Sequence, residues 1–328
     1  MSGTASTSPG TGGVLAVHAH PDDESLSTGA LLATWAAAGL PATVVTCTRG
    51  ERGEVIGGAL AHLEGDGPAL AAHREGEVAA SAAALGVTQL FLDALPAAAS
   101  GGAVRYEDSG MAWLGTGLAG AAAELPAGAL AGVPLDEAAG RLAGLIRDRR
   151  PDLVVTYEPG GGYGHPDHVR AHAITVRAVE VAAGAWTPAV AWAVAPAAAL
   201  RAGYAALGVD PDARAVLDAH DDDRRATREA PLALPDPDGP LPSVAVHGPV
   251  DLVVDVLPVR DRVLAALRAH ATQVQAVRAL DHPDAVACYA LSNLVLAPVL
   301  PQETYRWAPG SAPVPAAALP PGAWPAAA

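Results

Sequence analysis

Short apolar runs recur along the first half of the chain with helix-forming stretches between them, and this alternation restricts the fold more than any other feature. The runs are Val14–Val17, Ala42–Cys47, Gln89–Leu92 and Asp152–Tyr157. Each is too short for a helix and lacks the polar alternation of a half-exposed strand, which suits the interior of a parallel sheet covered on both faces. Ser25–Gly39, Ala69–Leu85, Leu135–Arg149 and Pro166 to about Ala183 read as the intervening helices, with Gly39 and Gly86 as natural stops. Strand, helix, strand in this order implies right-handed crossovers. The expected class is therefore α/β, a Rossmann-like three-layer fold with a mainly parallel sheet and a C-terminal elaboration. Because 51% of the residues are hydrophobic and only 4% aromatic, the layers between sheet and helices must be filled by Ala, Val and Leu.

The second half is less regular. Ala189–Val194 reads as a strand, Asp221–Pro242 as an acidic, proline-rich surface loop, and Ser243–Val246 with Leu252–Val256 as a hairpin. Val259–Val277 reads as a helix, and Leu95–Ala131 as an unusually long loop. Residues 1–12 are Ser, Thr and Gly-rich and are expected to be disordered, residues 13–307 to form one domain, and the Pro/Ala-rich 308–328 to be an unstructured tail. A net charge of -15 and a pI near 5.0 argue against nucleic acid or an anionic membrane surface as partner. Cys47 and Cys288, each in an apolar context, read as buried free thiols. With no signal-peptide pattern and no apolar run of membrane-spanning length, the expected location is the cytoplasm. Nothing in the pattern speaks to oligomeric state.

Chemistry begins where two of the strands end. The first run breaks into His18-Ala19-His20-Pro21-Asp22-Asp23-Glu24, and the fourth runs through a glycine loop into Tyr163-Gly164-His165-Pro166-Asp167-His168. Ligands in open α/β sheets bind outside the carboxyl ends of the strands, so both segments lie where a site is expected. His20 and Asp23, three apart at a strand-to-helix turn, can face one crevice. His168 would complete a His/Asp/His set of the kind that holds catalytic zinc, and ferrous iron is chemically acceptable to the same donors. Pro166 suits a first helical position, which puts His165 and His168 on one face of the first turn. Asp22 is left beside the metal as a carboxylate able to take a proton from an attacking water, and Tyr163 and His165 are candidates to steady the oxyanion and the leaving amine. Either segment alone could be a capped helix start, but two at two strand ends are hard to explain as caps. His18 and His172 read as supporting histidines, and Gly160–Gly162 do not form a dinucleotide-binding pattern.

With these residues in hand, the chain resembles the LmbE-like zinc de-N-acetylases over roughly residues 14–307, through VHAHPDDESLSTGA, VVTCTRGERGEVIG, RYEDSGM, VVTYEPGGGYGHPDHV, HATQV and YALSNLVLAPVLP. The resemblance implies zinc ligands at His20, Asp23 and His168, a general base at Asp22, and roles for Tyr163 and His165 at the tetrahedral intermediate and leaving amine. It further implies substrate contacts at Arg74 and Asp108. The similarity is strongest to the branch that removes acetyl from N-acetylglucosaminyl-inositol in mycothiol biosynthesis, so the expected partner is a small acetylated amino-sugar inositol. The related mycothiol S-conjugate amidases typically carry Lys after the first segment, whereas Leu26-Ser27-Thr28 stand here. A non-catalytic sugar-binding relative would have lost Asp22, Asp23 or His168, and all three are present. The arginines of CTRGERGEV are a departure from the deacetylase pattern at the expected pocket rim.

Overall fold

The structure, a computed structural model, describes residues 12–97, 105–115, 118–121, 125–227 and 231–326. In chain order the first half comprises β1 (Val14–His18), α1 (Asp23–Ser27), α2 (Gly29–Ala37), β2 (Ala42–Thr46), α3 (Gly67–Leu85) and β3 (Thr88–Phe91). A hairpin of β4 (Met111–Gly115) and β5 (Leu118–Ala121) follows, then α4 (Leu135–Arg149), β6 (Leu153–Tyr157), α5 (Gly161–Gly164), α6 (Pro166–Ala182) and β7 (Ala189–Pro196). The second half adds α7 (Ala197–Val209), α8 (Pro211–Thr227), β8 (Ala245–Val246), β9 (Leu252–Asp255) and α9 (Arg260–Ala269). It ends with β10 (Gln275–His282), β11 (Ala285–Ala290), β12 (Leu296–Val299), β13 (Gln302–Trp307) and β14 (Ala323–Pro325).

One large sheet runs β14-β9-β13-β7-β6-β1-β2-β3, with the short β8 beside β7. From β7 to β3 every pairing is parallel, in a register that sets Val14 against Ala42 on one side and Leu153 on the other. Neighbouring residues on these strands bury into opposite layers. Val14, Ala16, Val44, Leu153 and Val155 pack toward α2 and α9 through Leu31, Leu32, Val263 and Leu267. Leu15, Val17, Val45, Cys47 and Val154 pack toward α4 and α6 through Leu142, Ile146 and Ile174. Both faces being dry explains why the strands read as unbroken apolar runs. The chain winds outward from β1 through β2 to β3 and returns on the other side of β1 as β6, so the β1/β6 boundary is where the winding reverses.

Several expectations are corrected. The stretch taken as a long loop carries the β4–β5 hairpin. Ser243–Val246 and Leu252–Val256 do not pair with each other: β8 runs parallel to β7, while β9 is inserted between β13 and β14. The helix expected over Val259–Val277 ends at Ala269, because Glu77 takes the Thr272 N–H at 2.8 Å and the Thr272 hydroxyl at 2.6 Å, pulling the chain out of helical register before β10. Asp221–Thr227, expected as loop, continue α8. The Pro/Ala-rich tail is ordered through residue 326: Val314 is buried and β14 forms an edge strand, a position where Pro325 removes no ladder bond. Disorder over residues 1–12 was expected of a segment that lies outside the described residues except for Gly12, whose N–H donates to the Arg149 carbonyl at 2.9 Å. Among the described residues no helix is long and apolar enough to cross a membrane.

The antiparallel extension is tied to the parallel half by Glu303 of β13. Thr28, at the start of α2, makes no side-chain cap. The Glu303 carboxylate supplies it instead, accepting from Ala30 N–H at 2.7 Å and Leu31 N–H at 2.8 Å.

Candidate metal centre

The β1 strand ends in the two histidines, and Asp23 opens α1 directly after the turn at Pro21-Asp22. On the other side of the winding reversal, β6 leads through Gly160–Gly164 into α6, whose N-cap is His165 and whose first residue is Pro166. Gly161 (φ 70°) lets this loop press on the helix, since a Cβ there would stand 2.8 Å from the His168 Cβ. Its carbonyl accepts the His168 Nδ1–H at 3.0 Å.

Three donor atoms then meet. His20 Nδ1 stands 3.3 Å from His168 Nε2 and 3.6 Å from Asp23 Oδ2, and His168 Nε2 stands 3.4 Å from Asp23 Oδ2. A regular tetrahedron with bonds of about 2.0–2.2 Å, the range of zinc to imidazole nitrogen and carboxylate oxygen, has edges of about 3.3–3.6 Å. The triangle therefore has the size of one face of such a tetrahedron, and the chemistry of the donors fits a divalent metal. Each ligand is held from behind. His20 Nε2–H donates to Asp167 Oδ2 at 3.2 Å, which fixes the tautomer that leaves Nδ1 free. Asp167 in turn accepts from the Ser109 N–H at 2.8 Å and the Ser109 hydroxyl. Tyr157 stacks on His168 with centroids 4.3 Å apart, accepts the Ala19 N–H at 2.8 Å and hydrogen-bonds to Asp23.

Two other sets of potential ligand atoms lie within 4.8 Å of one another, His20/His165/His168 and His20/Asp108/Asp167. Their remaining members are already engaged. His165 Nδ1 accepts the Asp167 N–H at 3.1 Å, so its Nε2 carries the proton and is a donor rather than a ligand. Asp108 accepts from Gly110 N–H at 2.8 Å and Arg52 N–H at 3.3 Å, and Asp167 is occupied by Ser109 and His20.

Charge around the triangle favours a cation. Burial alone would lower the His20 pKa, yet Asp108, Asp167 and Asp23 hold it well above the ordinary imidazole value. Burial likewise favours neutral Asp23, but His168 and His20 keep it ionised. His168 and His165 are pushed down by burial to about 4 and about 2, so both are neutral near pH 7. Metal entry would displace the His20 proton and answer the carboxylate surplus. Asp22 is different: burial and then the adjacent Asp23 push its acid up to about 8, opposed by His270. Its backbone sits at φ 106°, ψ -34°, a strained conformation for any residue with a side chain.

Of the remaining candidates, Tyr163 lies edge-on to His168 with centroids 5.0 Å apart, and burial keeps its phenol protonated. Asp108 reaches within 3.7 Å of His20 Nε2. Arg74 is fully buried beneath the CTRGERGEV loop, donating to the carbonyls of Gly50 and Glu54 and to the Thr272 hydroxyl. These three bonds use three of its five N–H groups. His18 is a supporting residue, bonded to Thr28 at 2.8 Å and edge-on to Tyr157. His172 binds the Tyr157 carbonyl at 2.8 Å. Sequence reasoning missed the roles of Asp167, inside the second segment, and of Tyr157, the last residue of the strand that leads to it. It also missed Glu24, which follows Asp23 directly, and His270 in HATQ.

The chain has relatives among known proteins. The family described as PIG-L, GlcNAc-PI de-N-acetylase, matches residues 15–179. A Kineococcus radiotolerans protein named 1D-myo-inositol 2-acetamido-2-deoxy-alpha-D-glucopyranoside deacetylase is 46% identical over 304 residues, 91% of this chain and 78% of that protein. Proteins of the same name from Streptomyces avermitilis and Rhodococcus erythropolis are each 40% identical, over 89% and 91% of this chain and 90% and 91% of their own lengths.

Proposed function

The chain belongs to the GlcNAc-PI de-N-acetylase family, and on that premise we propose that it hydrolyses the acetamide of 1D-myo-inositol 2-acetamido-2-deoxy-alpha-D-glucopyranoside, giving acetate and the free amine, a step of mycothiol biosynthesis. The observation that carries the mechanism is the triangle of His20 Nδ1, Asp23 Oδ2 and His168 Nε2. These atoms would hold a divalent metal; the family resemblance favours zinc, and ferrous iron is acceptable to the same donors. Bound there, the metal supplies Lewis-acid polarisation of the acetyl carbonyl and a lowered pKa for the attacking water.

The residues do the rest. Asp22 takes the proton from water as its oxygen attacks the acetyl carbon. The same carboxyl, now protonated, can hand that proton to the departing nitrogen as the C–N bond breaks. His165 cannot replace it in that return, because its imidazole is neutral and the one proton it bears is fixed on Nε2 by the Asp167 N–H. That Nε2–H, with the Tyr163 hydroxyl, instead donates to the oxygen that gains charge. The Asp108 carboxylate, beside His20, accepts from a hydroxyl of the sugar-inositol, and Arg74, buried beneath the loop, supports that side of the pocket.

Acetate release from this substrate by zinc-loaded protein tests the reading, with Asp22→Ala and a mycothiol S-conjugate alongside. Fast release that collapses in Asp22→Ala, and slow cleavage of the conjugate, is the expected result. Faster cleavage of the conjugate would overturn the substrate, and release that survives in Asp22→Ala would overturn the base.

A further inference from the structure

Glu24 is fully buried between the metal centre and two helices, and no step of the mechanism above uses it. Three donors converge on its carboxylate. Oε2 accepts the Asp22 N–H at 3.1 Å, while Oε1 accepts from His270 Nε2 at 2.6 Å and from the Ser81 hydroxyl at 2.5 Å. Ser81 belongs to α3 and His270 caps the C-terminus of α9, so the carboxylate is fixed by elements remote in sequence from the turn it holds.

The other side of the turn is pinned as firmly. The Asp22 carbonyl accepts from Ser25 N–H at 2.9 Å, Leu26 N–H at 3.0 Å and the Ser25 hydroxyl at 2.8 Å. Asp22 is thus gripped at its N–H by Glu24 and at its carbonyl by the first turn of α1, with a φ of 106° between them. Strained backbone persists only where its surroundings over-determine it. Without the grip on the N–H, the residue can relax toward an ordinary φ, which swings its carboxylate relative to Asp23.

We propose that Glu24 is a positioning residue for the general base: anchored by His270 and Ser81, it holds the Asp22 main chain in the turn that sets the Asp22 carboxylate beside the metal ligands. The inference rests on the reading of Asp22 given above. The carboxylate meets all three groups as donors. The amide of Gln can keep the Asp22 N–H on its oxygen while its NH2 donates to a turned Ser81 hydroxyl and to the other tautomer of His270, whereas Leu, of similar size, offers no acceptor and releases the Asp22 N–H.

The test compares kcat, KM and metal content of zinc-loaded wild type, Glu24→Leu, Glu24→Gln, His270→Gln and Asp22→Ala on the acetamide substrate. Displacing a catalytic group by about 1 Å costs on the order of a hundredfold in rate. Glu24→Leu is therefore expected to lose about a hundredfold in kcat while KM stays within about twofold and one metal per chain is retained, and Glu24→Gln, which keeps an acceptor for the Asp22 N–H, is expected to recover most of that loss. In an Asp22→Ala background Glu24→Leu should alter the residual rate by less than about twofold, since the group being positioned is gone. An unchanged kcat in Glu24→Leu, or a fall that follows loss of metal, overturns the proposal. Full activity in Asp22→Ala would instead sink the assignment of the base. Should Glu24→Leu fail to fold, His270→Gln removes only the anchor, and it is expected to lower kcat with KM and metal content kept; unchanged kcat there overturns the proposal equally.

Discussion

Replacing Asp22 by glycine and by alanine separates what its backbone costs from what its carboxylate does. At φ 106°, ψ -34° a side-chain-bearing residue stores strain of about 1–3 kcal/mol, and glycine does not. At an ordinary backbone position the order is the reverse, alanine being the more stable by about 0.4–1 kcal/mol because it has less unfolded-state entropy to lose. Taking the middle of each range, Asp22→Gly should be more stable than Asp22→Ala by about 1.3 kcal/mol. The comparison is free of the carboxylate's own burial cost, since neither variant has one. For a chain of this size it corresponds to a Tm difference of about 2 °C. Thermal or denaturant unfolding in the presence of a chelator reads it without contribution from bound metal. Both variants should be inactive in acetate release. Finding Asp22→Ala as stable as Asp22→Gly, or more so, would refute the strain argument and with it the view that a functional turn is held against its preference.

Asp167→Asn leaves size unchanged but lets an amide face His20, so the tautomer presenting Nδ1 is no longer enforced; zinc affinity is expected to fall about 10–100-fold with folding intact, read by competition with a chromogenic chelator. Glu303→Ala strips the remote cap from α2 and should cost about 1–2 kcal/mol in denaturant unfolding, with kcat/KM of the folded enzyme unchanged. Burial raises the thiol pKa of both cysteines, Cys288 to about 12 and Cys47 well above the ordinary thiol value, so the reactive thiolate is scarce near neutral pH; iodoacetamide at pH 8 should modify neither in the native protein and both in guanidinium, by mass spectrometry.

The parallel half of the fold was legible because its information is local. A strand buried on both faces must be apolar throughout, and each of β1, β2, β3 and β6 is followed or preceded by a stretch of helix formers ended by glycine or capped at its start. The antiparallel extension was not legible. β9 pairs with β13 and β14, tens of residues away, while its near neighbour β8 joins β7 instead, and no local signal records such a choice. Similarly, the end of α9 is set by Glu77 taking Thr272, a contact across nearly two hundred residues of chain.

At the site, residue type and strand-end placement pointed to His20, Asp22, Asp23, His165 and His168, and the structure brings all five together. What the pattern could not supply was direction. The bond from Asp167 N–H to His165 Nδ1 distinguishes His165, a donor, from His168, whose Nε2 is left free to meet a metal, although both face the same cleft. Arg74 was expected to contact substrate, but the glycines of CTRGERGEV admit its guanidinium beneath the loop, where part of its donor capacity is spent on loop carbonyls. Its role is thus as much to shape the loop as to meet a ligand.

The most direct test of the central claim is equilibrium zinc titration of wild type, His20→Ala, Asp23→Ala, His168→Ala and His165→Gln, paired with acetate release from each. One tight site is predicted in wild type and in His165→Gln, and its loss in each of the other three. His165→Gln should then keep its metal while losing rate. Retention of the tight site in any of the three alanine variants, or its loss in His165→Gln, would contradict the ligand set.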